Sequence, residues 1–162
     1  MASAVQHEQA SVPAFSSGTL LRILAAGGVG LVAWEIFARL AAPLWLGHPL
    51  EPTALIEMAF GISGTPAQLV HLFTGLVLFP AGYVLVFRPL AGRFAPGLSW
   101  LLLGAGYGVA LWVFAMYGMA SLLGGAPPFL GFGAVAWASL VGHVLLGLAL
   151  AATAAQMARS AR

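Results

Sequence analysis

Two histidines, His71 and His143, stand inside long apolar runs and share a local pattern, His71-Leu-Phe-Thr-Gly75 and His143-Val-Leu-Leu-Gly147. An ionisable ring in hydrocarbon is costly, so it is expected to face a partner or a cavity rather than lipid. Ser139 precedes His143 by four residues, and a glycine follows each histidine by four. On a helix, residues at that spacing lie one above the other. Two readings follow. In one, His71 and His143 are axial ligands of a b-type haem, with Gly75 and Gly147 leaving room for the macrocycle. In the other, the small residues let helices approach closely and each imidazole hydrogen-bonds across that contact. A metal or proton-relay site is the third alternative.

Glu35 and Arg39 are four apart, with the glutamate N-terminal, the better order for an ion pair on one helix. The pair is read as structural. If the helix turns it inward, Glu35 becomes a carboxylate beside the two imidazoles, suited to a divalent ion or a proton path. Helix rise converts sequence spacing into depth. His71, His143 and Glu35 stand about 25, 24 and 20 Å from the arginines Arg88, Arg159 and Arg22. Trp112 lies at a similar height above Leu98. All belong to one slab in the outer half of a hydrocarbon core about 30 Å thick.

Composition removes most other chemistry. The 162 residues are 61% hydrophobic and 6% charged, far below the roughly 25% of a soluble domain. The charged set is six arginines and four glutamates, with no Lys, Asp or Cys. Disulfides, thiolate metal sites, Fe–S clusters and covalent c-type haem are excluded, as is Schiff-base chemistry. A formal charge of +2 spread over several loops is no nucleic-acid surface. Ser139 beside His143 lacks an orienting acid, so no hydrolytic triad is expected. Met116 and Met119 are read as packing, and His48 and His7 as solvated.

The elements that must position these residues are four apolar runs of spanning length, about residues 19–42, 66–87, 98–123 and 131–157. Residues 1–18 and 158–162 are expected to be tails, and 52–61 a short interfacial helix with Leu55, Met58 and Ala59 on one face. Pro43, Pro66, Pro89, Pro96 and the Pro127-Pro128 pair are read as punctuation between spans. The first run is taken as a retained helix, with cleavage after Ala41 or Ala42 the alternative. Arg22, Arg88, Arg93, Arg159 and Arg162 fall on one side and Arg39 on the other, which puts both termini in the cytoplasm.

The halves resemble each other. Ala26-x3-Gly30-x3-Trp34 matches Gly104-x3-Gly108-x3-Trp112, and Pro43-Leu-Trp45-Leu-Gly47 matches Pro127-Pro-Phe129-Leu-Gly131. With the histidine motif, this favours two tandem helical hairpins forming a parallel repeat. The order of motifs also resembles a group of small four-helix bacterial inner-membrane proteins of unassigned function. The likeness runs over about residues 24 to 150. It rests on His71, Gly75, Tyr83 and Arg88, then Gly108, Trp112, Ala115 and Met116, then Ser139, His143 and Gly147. It implies an all-α integral membrane four-helix bundle and no activity. The leading expectation is a non-enzymatic accessory or interaction subunit of a membrane assembly. A bis-histidine haem b electron carrier is the alternative, and a small transporter or channel the third. The expected partners are the lipid bilayer and other membrane subunits, with no nucleic acid.

Overall fold

A computed structural model describes residues 16–160, and its regular structure is entirely helical there. Of the tail expected over residues 1–18, residues 1–15, with His7, lie outside the described residues, as does the terminal Arg162, while Ser17 and Gly18 already belong to the first helix. Helices α1 (Ser17–Leu46), α3 (Gly64–Phe94), α4 (Trp100–Leu123) and α5 (Ala134–Ser160) are each long and apolar enough to cross a membrane. The short α2 (Pro52–Phe60) joins α1 to α3. The long helices run up and down in alternation, with α5 the most enclosed and α3 the least.

Side-chain oxygens start two of them. Ser16 Oγ accepts from the Thr19 amide at 3.2 Å, and Ser99 Oγ from the Leu102 amide at 3.3 Å. These are N-caps satisfying amides the helix itself leaves orphaned. Gly47 and Gly61 stop α1 and α2 in the left-handed conformation that glycine adopts without penalty.

Pro43 and Pro89, expected between spans, lie inside α1 and α3, as does Pro80. The helices absorb all three in the same way. The residue before each proline bonds five positions back instead of four: Ala42 to the Phe37 carbonyl, Phe79 to Thr74, and Arg88 to Tyr83. A wide turn of this kind takes up the missing proline N–H and the ring's clash with the preceding turn. The carbonyl of Ala38 is left without a helical donor, because its wide-turn partner would be Pro43. Leu50 supplies one, its amide donating to Ala38 O at 3.1 Å. That bond folds the 47–51 loop back over α1.

Without a hydrophobic driving force between helices in lipid, close packing holds a bundle together. Along α4–α5, a Cβ on Gly108 would meet the His143 carbonyl, and one on Gly147 would meet Gly104 O. α1 packs on α5 through Gly30 against Leu150 and on α3 through Gly27 against the Leu76 carbonyl. α3 and α4 join only in the half toward the arginine end. There the Tyr107 hydroxyl donates to Phe79 O at 2.6 Å, and the Tyr107 ring packs on Tyr83 and Phe87. Toward the other end α3 and α4 part, and α2 lies across the opening.

Candidate functional site

The parted end holds a cavity of about 710 Å³, within the range of small-molecule sites. Its walls come from all four long helices, with α2 and the 48–52 loop above it. Both walls that part, α3 at Thr74–Leu78 and α4 from Phe114 onward, are wound in wide turns beside it. Such turns recur at functional sites. The lining is apolar apart from a few groups, chiefly His71, His143, Thr74, Ser139, His48 and Glu51.

Both histidines singled out in the sequence therefore line one cavity, but they are held differently. His143 is buried on α5, its Nδ1 at 2.8 Å from the Ser139 carbonyl and 3.2 Å from Ser139 Oγ. A carbonyl oxygen only accepts, so Nδ1 carries the hydrogen and donates. The lone pair is left on Nε2. No described side chain pairs with Nε2, and the nitrogens sealed off without a partner are Arg22 Nε and Trp34 Nε1 instead. Nε2 thus opens onto the cavity.

His71, on α3, has Nε2 at 2.9 Å from Glu35 Oε1. Glu35 Oε2 accepts from Arg39 Nε at 2.8 Å, and Arg39 also lies 3.7 Å from Glu51 Oε1. Helix rotation, invisible in the sequence, turns Glu35 toward His71. The result is a polar strip from the cavity wall to the exposed loop. Among the described residues no group of three or more metal-ligating side chains gathers.

The remaining residues singled out in the sequence divide. Trp34 lines the cavity and meets the His143 ring edge-on, centroids 4.7 Å apart. Trp112, its counterpart in the second half, donates Nε1–H to the Ala136 carbonyl at 2.9 Å and stacks on Trp137. Gly147 faces Gly104 and serves a helix contact, while Gly75 faces Leu31 and also lines the cavity. Met116, read as packing, does pack with Trp112 and Ala115 and also lines the cavity, as does Met119, while His48, read as solvated, is exposed at its rim. The cover itself was not foreseen. Ile56 of α2 is buried, and Leu55 and Met58 face the cavity. The one signal for that cover was Pro43, whose missing N–H frees the carbonyl that ties the loop down.

No protein-family profile, no curated protein and no solved structure matches this chain. Its four long helices are apolar enough to cross a membrane, which is compatible with a small membrane protein.

Proposed function

We propose that the chain is a small multi-pass protein of the bacterial inner membrane, with both termini cytoplasmic, that holds an apolar or amphipathic molecule in the cavity beneath α2. It would do so without catalysis of its own, as an accessory subunit of a larger membrane assembly. The observation that carries the reading is the half-open apolar cavity with two oriented imidazoles in its wall. The arginine distribution supports the orientation, and with it a cavity in the outer half of the membrane. The short connections at 47–51, 61–63 and 95–99 leave little room for a separate catalytic unit between the helices.

One observation favours haem as a second reading. A ring nitrogen tied to a backbone carbonyl, with Nε2 free, is how proteins orient imidazole ligands. His71 is less suited, because its Nε2 is engaged by Glu35. The test is to purify the protein from native membranes and identify bound lipophilic molecules by mass spectrometry. Retention by the wild type and loss from Ala115→Phe, which fills the cavity, is the expected result. Equal retention by both, or nothing bound to either, overturns the reading. A b-type absorption band lost in His143→Ala would transfer the cavity to haem.

A further inference from the structure

The cavity's chemistry is narrower than its volume, because the acceptor on His143 is fixed by backbone. Resting on the reading above, we infer that the occupant is a lipid-soluble molecule whose polar end is a hydroxyl group donating to His143 Nε2. The Ser139 carbonyl holds Nδ1–H at 2.8 Å, so the ring cannot offer a hydrogen to the cavity while remaining neutral. Among the described residues no carboxylate lies within ion-pair reach of His143 to support an imidazolium. What the cavity presents at that point is a lone pair in apolar surroundings, and an acceptor left unpaired once an apolar occupant covers it is costly.

Other headgroups fit less well. A ligand carbonyl needs a donor, which His143 does not supply; it would have to turn to a hydroxyl such as that of Thr74 and leave the His143 lone pair unmet. A carboxylate or phosphate needs a free cation. The arginine near the cavity, Arg39, is already shared between Glu35 and Glu51. An aliphatic isoprenoid alcohol and a phenol or hydroquinone both carry the required O–H, and both dissolve in a membrane. The shared chemistry is the hydroxyl, and separate probes tell the two sources apart.

The experiment uses the full chain in lipid nanodiscs with isotope-labelled histidine. Four probes are titrated: an alkyl hydroquinone, its benzoquinone, an isoprenoid alcohol and the methyl ether of that alcohol. Hydroxyl probes are expected to bind about tenfold or more tightly than their quinone or ether counterparts, since a site built around one hydrogen bond rejects the analogue lacking it. They also shift the His143 Nε2 nitrogen resonance from that of a free acceptor to a hydrogen-bonded one. Preference for the alcohol alone assigns an aliphatic occupant, and preference for the hydroquinone alone a phenolic one. His143→Phe keeps a ring against Trp34 and is expected to bind each pair without preference. If it does not fold, the wild-type comparison still decides.

Binding of ether and quinone as tight as that of their hydroxyl partners overturns the inference while leaving cavity binding intact. An unmoved His143 resonance with a bound hydroxyl probe does the same. Absence of binding by both hydroxyl probes also overturns it. Failure of the broader reading looks different: Ala115→Phe then changes neither probe binding nor the native lipid content.

Discussion

His71 and His143 line the same cavity, yet one is oriented by a side chain on another helix and the other by the backbone of its own. Glu35 reaches His71 from α1, so that geometry depends on two helices keeping their rotation and on a carboxylate also paired with Arg39. His143 leans on the Ser139 carbonyl one turn away, an atom that no substitution removes. The surroundings differ in the same sense. His143 sits where α5 is clamped between α1 and α4, and His71 on the least enclosed helix. The cavity wall therefore carries one imidazole fixed by main chain and one held by a part-exposed side chain. That asymmetry also limits what a repeat could mean here, because Trp34 and Trp112 serve different partners.

The largest expected effect separates the glycines below the two histidines. A Cβ at Gly147 would strike the backbone of Gly104 and Gly108, which belongs to a packed helix and cannot yield. Gly147→Ala is expected to destabilise by about 3 kcal/mol. At Gly75 the obstacle is the tip of the Leu31 side chain, 2.8 Å away and free to change rotamer. The gain in helix propensity of up to about 1 kcal/mol offsets that cost, so Gly75→Ala is expected to be near neutral. Unfolding in mixed micelles measures both. Equal losses would mean that the two halves are clamped alike.

Next come the paired tryptophans. Trp112→Phe gives up the bond to the Ala136 carbonyl and leaves that buried oxygen with one donor fewer, an expected loss of about 1–2 kcal/mol. Trp34 has no partner for its N–H, so Trp34→Phe loses packing area alone and is expected to cost about 0.5–1 kcal/mol. A reversed order in the same unfolding measurement would show that Trp34 is held by something the bundle alone does not display.

Four spanning helices were legible in the sequence because hydrocarbon thickness demands long uninterrupted apolar runs. The ends were less so. Pro43 and Pro89 resemble stops, but a single wide turn accommodates each and carries the helix onward. Depth was legible to the extent that His71 and His143 line the same cavity, whereas Trp112, expected in the same slab, is not among its lining residues. Rotation was not. Whether Glu35 faces lipid, Arg39 alone or His71 depends on how α1 packs on α3, through Gly27 at Leu76 and Gly75 at Leu31. No periodicity reports it, because α1 is apolar on every face and only packing sets its rotation. The role of α2 was hidden for a related reason. Its apolar face suits an interface or a cavity equally well, and the loop bond from Leu50 to Ala38 decides between them.

Glu35→Gln directly tests the imidazole held by a side chain. The amide keeps the shape and one hydrogen bond but loses charge toward both His71 and Arg39. Because Glu35 is part-exposed, the expected loss is about 1 kcal/mol or less. The sharper readout is spectroscopic. The His71 nitrogen resonances are expected to move while those of His143 stay in place. Movement of both would show that the imidazoles share a coupled network across the cavity, and the contrast between them would fail.

The smallest effect belongs to Ser139→Ala. The serine hydroxyl lies 3.2 Å from His143 Nδ1, but the shorter bond, at 2.8 Å, runs to the carbonyl of the same residue and survives the substitution. The hydroxyl is left as a secondary contact, and alanine is the better helix former. Stability is therefore expected to change by less than about 0.5 kcal/mol, with the His143 tautomer unchanged by nitrogen NMR. The orientation of His143 then rests on main chain alone. If Ser139→Ala instead turns the ring or transfers the hydrogen to Nε2, the serine hydroxyl is what fixes the acceptor, and the two histidines are alike in depending on one replaceable side chain each.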